Sequence, residues 1–404
     1  MTARGAFRRI VVGSVAIVVA WLIGASAVHS PLYVWRVLSH GKSEVSDYLD
    51  YFPLSRLTAS AAPFTFLPAP DDERVRAVFG SAFGTDDLDA LLSDAGTQAF
   101  LVIQGDRIIY ERYFNGAQRD TMLTSFSVAK SFDSALVGIA IDEGFIGSID
   151  DPITDYLPEL SDRDERFDDI TIRHVLAMAS GLEYRELRWA VFNGDDPITT
   201  YYPDQREAAL EFTHILEPPG RHFSYNKYHP QLLGMILERA TGMSVTEFTQ
   251  TRLWDAVGME FGGAWALDSD GGFEKMEAGL NARAVDFAKL GRLYLHRGSW
   301  NGTQVVSSEW VEDSIAFDPA THTAEYYRLS FGPAVYADGN GYYRYMWYGF
   351  LRDGEEPDFA AEGDHGQFIY VSPSRDLIVV RNGTEYGIPW ARWVEAFYSA
   401  AGEL

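Results

Sequence analysis

The chain has 404 residues, 47% hydrophobic and 14% aromatic, enough apolar material for one large core or two medium ones, which excludes a disordered chain. Lys and Arg number 33 against 58 Asp and Glu, a formal charge of -25 that repels a polyphosphate over most of the surface and excludes a nucleic-acid partner. With no cysteine there is no thiol nucleophile, disulfide framework or Cys-type zinc site, and any redox compartment is compatible.

In chain order, the first feature is an uncharged apolar run from Ile10 to Val28, preceded by Arg4, Arg8 and Arg9. At ~1.5 Å per residue such a run nearly spans a bilayer core of roughly 30 Å. The pattern predicts an N-terminal transmembrane helix within residues 1–30, with the basic flank cytoplasmic. The body of the chain would then be membrane-anchored and extracytoplasmic, in the periplasm or at the cell surface. Ala25-Ser26-Ala27 resembles a signal-peptide cleavage site, so a cleaved signal is the rival reading. The length of the run and its aromatic continuation Pro31-Leu32-Tyr33-Val34-Trp35 favour an uncleaved anchor.

Residues 31–75 show no sustained period and read as a linker or wrapping segment ahead of a domain at 76–404. Within that domain two apolar runs flank Gly105-Asp106 from Ala99 to Phe114, a β-hairpin signal. From Ser127 to Glu143 the apolar spacing predicts a buried helix ended by Gly144. Helical patterns then dominate: from Thr171 to Met178, Gln231 to Ala240, Val245 to Ala256 and Ala284 to His296. Short β-type runs return at Phe368–Val371 and Leu377–Arg381, and Trp390 to Ala401 predicts a closing amphipathic helix. The expected fold class is α+β: an antiparallel sheet formed from both ends of the domain and flanked by helices, with a mainly helical subdomain inserted over residues 150–330. No internal repeat is present.

A Ser and a Lys three positions apart on a helix share one face, close enough for the amine to take the hydroxyl proton, and the helix N-terminus favours the developing oxyanion. The pattern S-x-x-K occurs at Ser39–Lys42, Ser127–Lys130 and Ser224–Lys227, so spacing alone cannot choose. Ser39 lies just after the apolar segment with Gly41 inside its motif, and Ser224 sits in the Pro/Gly-rich stretch PPGRHFSYNKYHP. Ser127 alone opens a long apolar helix directly after a hairpin. Locally, an N-cap serine followed by a solvated lysine fits as well as a nucleophile with its base. There is no H-E-x-x-H, H-x-H-x-D or G-x-S-x-G, so neither a metallohydrolase nor an α/β-hydrolase is indicated, and no cofactor or metal is called for.

Six segments in order carry a resemblance: TSFSVAKSF, GSIDDPITDYLPEL, TIRHVLAMASGLEY, PPGRHFSYNKYHPQLLGMILERATG, GLNARAVDFAKLGRLYLHRGSWNG and GDHGQFIYVSPSRDLIVV. From about Ala99 to Arg381 the chain resembles the serine β-lactamase and penicillin-binding-protein superfamily, in its class C-like esterase and 6-aminohexanoate-oligomer hydrolase branch. The resemblance implies a Ser127 nucleophile, with Lys130 and Tyr225 as general base and acid, acting on small amide or ester substrates through an acyl-enzyme. It places Tyr225 in the Tyr-x-Asn motif, where Lys227 replaces Asn and Asn226 stands one residue early.

The third motif, Lys-Thr-Gly or His-x-Gly in the family, is matched to Asp364-His365-Gly366-Gln367, with Asp364 where a cation is usual. On that match the Gln367 N–H joins that of Ser127 as the oxyanion hole, Gly366 permits close approach, and His365 is a substrate-binding residue. Lys227 is either a functional cation or a solvated loop residue. Tyr184 and Trp189 are candidates for the acyl pocket, and Asp286 is implied to be structural. Two rivals remain: a cell-wall D,D-peptidase or β-lactamase, disfavoured by the missing cation, and a catalytically weak envelope scaffold. Nothing in the sequence bears on oligomeric state.

Overall fold

The structure, a computed structural model, describes residues 12, 14, 20, 24, 26, 29–185, 192 and 194–404. Its main sheet contains β1 (Leu67–Pro68), β2 (Thr97–Gln104), β3 (Arg107–Tyr113), β4 (Gly341–Arg344), β5 (Trp347–Phe350), β6 (Asp358–Gly363), β7 (Gln367–Ser372) and β8 (Leu377–Gly383). They lie in the order β4-β5-β6-β7-β8-β2-β3-β1, antiparallel throughout except for β1 beside β3. The hairpin β2–β3 turns on Gly105 and Asp106, whose φ values of 57° and 59° are what a two-residue primed turn demands. β8 pairs with β2, Val379 opposite Val102, so the two ends of the domain meet in mid-sheet.

Side chains of the central strands are apolar on both faces, because helices cover both. Phe368 and Tyr370 of β7 meet Phe397 of the C-terminal helix, while the alternate Ile369 and Val371 meet Gly291 of a second helix across the sheet. The helices that matter below are α1 (Ala129–Asp142), α2 (Tyr228–Thr241), α3 (Ala284–Leu295) and α4 (Trp390–Glu403). Every residue of α1 from Ala129 to Ala140 is buried, and α1 packs on α2. The run from Val245 is α-helical only to Phe248 and continues as a π-helix over Thr249–Trp254.

The α+β architecture fits the sequence, but the N-terminal transmembrane helix does not stand. Among the described residues no helix is long and apolar enough to cross a membrane, and most of Ile10–Val28 lies outside the described residues. Part of the apolar, aromatic continuation that favoured an anchor instead packs against the protein. In the helix Pro31–His40, Tyr33, Val34 and Val37 are buried, and Tyr33 Oη donates to the Phe192 carbonyl at 3.1 Å. Further along, Leu54–Leu57 pairs with Gly263–Ala266 in a four-stranded sheet completed by Leu280–Ala282 and Leu123–Thr124.

Candidate active site

Ser127 sits in a single 3-10 turn, Phe126–Val128, immediately ahead of α1. Phe126 is held at φ 42°, and its buried ring stacks on His365 at 4.6 Å. A left-handed conformation at a bulky residue is a strain that the surroundings must enforce. One helical turn on, Lys130 is 1% exposed, and its Nζ donates to Ser127 Oγ at 2.8 Å and to the Glu277 carbonyl at 2.6 Å. The same nitrogen stands 5.2 Å from the centroid of the Tyr225 ring. Tyr225 is delivered by the turn before α2, where Asn226 Oδ1 accepts the Tyr228 N–H at 2.8 Å; the Asn of the motif thus closes the turn.

The other two S-x-x-K matches are assembled differently. Ser39 donates to the Trp35 carbonyl at 2.7 Å while Lys42 pairs with Asp364 at 3.2 Å. Lys227 is turned to Asp196 at 2.7 Å rather than to Ser224. Burial works against the Lys227 charge, yet Asp196 outweighs it and holds the ammonium above the usual lysine range. Tyr184 donates to the same Asp196 carboxylate at 2.8 Å, and burial pushes its phenol well up. Tyr184 therefore braces the partner of Lys227 from outside the pocket. Trp189 lies outside the described residues.

Ser127, Tyr225 and Lys227 share a pocket of about 400 Å³ with the end of β6, Glu362 and Gly363, and with Asp364 beyond it. A Cβ on Gly363 would stand 3.0 Å from the Ser127 nitrogen and 2.5 Å from the Ser125 carbonyl, so only glycine lets the strand end lie against the nucleophile's amide. Gln367, Gly366 and His365 are not brought into this pocket. They form and follow the β6–β7 turn, with left-handed φ at His365 (61°) and Gly366 (77°). The Gln367 amide donates to the Gly383 carbonyl at 2.7 Å, and Arg381 fills the space where a Gly366 side chain would go. His365 is packed behind Phe126, its Nε2 3.3 Å from Glu44. The segment Asp364-His365-Gly366-Gln367 is the turn after the strand and the first residue of β7. The strand that meets Ser127 ends at Gly363.

Glu362, Asp196 and an aromatic wall of Tyr48, Phe331, Tyr348, Tyr386 and Trp390 complete the pocket. None carries a local signal. Ser43 and Tyr48 come from the segment that reads as a linker, tied down by the Asn281 amide on the Tyr48 carbonyl at 3.0 Å. Asp286 is used structurally: it accepts the Glu260 and Phe261 N–H groups and pairs with buried Lys289 at 2.9 Å. A separate cleft of about 270 Å³ between Arg173, Tyr326 and Tyr345 contains none of Ser127, Lys130 and Tyr225.

Comparison with known proteins adds to this geometry. The Beta-lactamase family profile matches residues 88–384, well over half of the chain. The 6-aminohexanoate-dimer hydrolase of Paenarthrobacter ureafaciens is 28% identical over 375 residues, covering 89% of this chain and 89% of that protein. Among solved structures, "Putative 6-aminohexanoate-dimer hydrolase from Bacillus anthracis" superposes with a TM-score of 0.72 at 23% identity, over 88% of this chain and 92% of that one. A class C β-lactamase gives 0.56 at 15% identity, over 83% of this chain and 97% of that one. At these identities the structural likeness speaks to the fold.

Proposed function

The chain belongs to the beta-lactamase family, and from that premise we propose that this serine hydrolase cleaves amide or ester bonds of small substrates through an acyl-enzyme on Ser127. One observation carries the assignment: the buried Lys130 Nζ hydrogen-bonded to the Ser127 hydroxyl at 2.8 Å, with Ser127 on the wall of a substrate-sized pocket. As Ser127 Oγ attacks the carbonyl carbon, its proton passes to Lys130 acting as a neutral amine and is relayed through Tyr225. The oxyanion is received by the Ser127 N–H and the N–H that follows Gly363, that of Asp364, because Gly363 lies against the Ser127 amide. Protonation of the leaving group through Tyr225 breaks the C–N or C–O bond. Water then attacks the acyl-enzyme by the reverse proton path and releases the acid.

An amide or ester preference fits the relatives named as 6-aminohexanoate-dimer hydrolases better than it fits a β-lactam. Where the strand end faces the pocket it offers Glu362 and Asp364 and no cation, so it gives no charged partner to the carboxylate that a penicillin or peptidyl substrate presents. Fluorophosphonate labelling tests the nucleophile: wild type is expected to label and Ser127→Ala to lose the label. Full labelling of the alanine variant sinks the assignment. In the same assay series Lys130→Met should lower kcat/KM by about 10²- to 10⁴-fold.

A further inference from the structure

The cleft of about 270 Å³ beside Arg173 is walled by residues that meet only in the fold, and the Ser127 machinery does not use it. Its lining carries two cations, Arg173 and Arg344, against one acid, Asp318, on a protein whose formal charge is -25. Arg173 is fully engaged: it donates to Asp150 at 2.6 and 2.8 Å and to the Tyr345 hydroxyl. Arg344 is engaged only at Nε, which donates to the Asp313 carbonyl at 2.6 Å. Its Nη1 stands 3.9 Å from Asp318, beyond hydrogen-bond reach, and neither terminal nitrogen has a hydrogen-bond partner among the described residues. Asp318 itself accepts the Ala320 N–H at 2.9 Å. His174 adds a second donor. The Thr171 N–H donates to its Nδ1 at 3.1 Å, so the neutral ring carries its proton on Nε2, which faces Gly220 of the same lining; a Cβ there would stand 3.5 Å from it. Burial and Arg173 hold this imidazole below the usual histidine range. The Tyr326 hydroxyl, also on the lining, has no hydrogen-bond partner among the described residues. Three donors, one of them charged, beside the rings of Tyr326, Tyr342 and Tyr345 are complementary to a carboxylate carried on a flat aromatic body.

We propose that this cleft is a second binding site, for a small aromatic carboxylate, and that its occupancy is transmitted to Tyr225. Backbone makes the first link. Gly220 lies in the lining and its N–H donates to the Ala179 carbonyl at 2.7 Å; Phe223 donates to the Tyr326 carbonyl at 2.9 Å and Ser224 to the Met178 carbonyl at 2.8 Å. The stretch 220–224 thus runs from the cleft wall to Tyr225. Side chains make the second link. Alternation along β4 turns Tyr343 away from Tyr342 and Arg344, and its buried ring meets Phe223 at 5.1 Å, Tyr225 at 6.3 Å and Tyr348 of the catalytic pocket at 4.9 Å. A ligand that shifts Tyr326 or β4 therefore changes how Tyr225 stands against Lys130 without entering the Ser127 pocket. Binding in the cleft is independent of the acyl-enzyme reading; the coupling to Tyr225 rests on it.

Calorimetry with sodium benzoate on the full chain, at constant ionic strength, tests the site. Benzoate is expected to bind the wild type, and benzamide, the same ring without the charge, to bind about tenfold more weakly or worse. Arg344→Gln should cost benzoate a similar factor. Ala177→Phe, which fills the cleft without removing a charge, should abolish binding. No benzoate binding to the wild type, equal affinity for benzamide, or binding that either variant leaves unchanged overturns the site. Turnover of a p-nitrophenyl ester then tests the coupling: benzoate should change kcat in the wild type and leave it unaltered in Ala177→Phe. A wild-type kcat that does not respond, or an effect confined to KM that survives Ala177→Phe, overturns the coupling, because the benzoate then competes in the Ser127 pocket. A wild type that turns over no ester would count against the serine-hydrolase reading instead, leaving the calorimetry to judge the cleft on its own.

Discussion

Two buried ionisable side chains near Ser127 have different reasons for being there. Lys130 is held by a hydroxyl and a carbonyl, both neutral partners, so its buried amine is hydrogen-bonded without an ion pair. Glu362 has a single indole N–H and is driven toward its neutral form. The second case has a signature in stability. A carboxyl raised from 4.5 to about 8 binds more protons in the native than in the unfolded state between those values, so stability falls as pH climbs through that window. Glu362→Gln mimics the protonated form and removes the penalty. The melting temperature of the variant relative to wild type should therefore be higher at pH 8 than at pH 5. A difference independent of pH would refute the argument. Comparing the two proteins is necessary because other groups titrate as well. His229, lowered to about 3 by burial and by Lys130, loses its contribution as pH falls below the ordinary histidine range, about 6.5.

At the level of elements, the position of α1 depends on a close contact that its helical pattern does not display. Gly138 faces the Trp310 ring, and a Cβ there would come within 2.5 Å of the indole. Alanine favours a helix interior over glycine by about 1 kcal/mol, whereas overpacking a buried ring costs about 1–3 kcal/mol. Trp310 is 7% exposed and has little room to yield, so overpacking should win. Gly138→Ala is expected to lower the thermal midpoint; a rise would show that the ring gives way. Element legibility follows the same divide between local and distant causes. The β2–β3 hairpin was readable because Gly105 and Asp106 themselves take the turn's φ values. β4 and β5 passed unread, since Tyr342, Tyr343, Trp347 and Tyr348 are all buried and leave no polar alternation. For the same reason β6, buried along its whole length, hid the strand end that approaches Ser127.

Over the whole molecule the formal charge of -25 is spread on a surface where acids outnumber their partners. Self-repulsion of that kind opposes the compact state and is screened by salt over a Debye length of about 8 Å at 0.15 M. The melting temperature should rise on going from low ionic strength to roughly 0.5 M sodium chloride. A fall would mean that the ion pairs, such as Arg239–Glu159 and Arg252–Glu143, outweigh the net repulsion.

By itself the sequence determined what neighbouring residues decide together, the hairpin and the buried helix. The meeting of Ser127 with Lys130 came from their place at the head of that helix, since the same spacing at Ser39–Lys42 and Ser224–Lys227 leaves the lysines on other partners. The order of six separate segments extended this to the family and the α+β architecture. Only the tertiary structure decided the rest. Tyr225 reaches Lys130 from the turn before α2, Glu362 and Gly363 arrive on a strand from the far end of the chain, and Tyr48 closes the wall from its beginning. The hydrophobic run before the domain pointed to a membrane, yet Tyr33, Val34 and Val37 just after it are buried against the protein. Apolar character states that a side chain leaves water; which surface receives it is settled by packing among residues far apart in sequence.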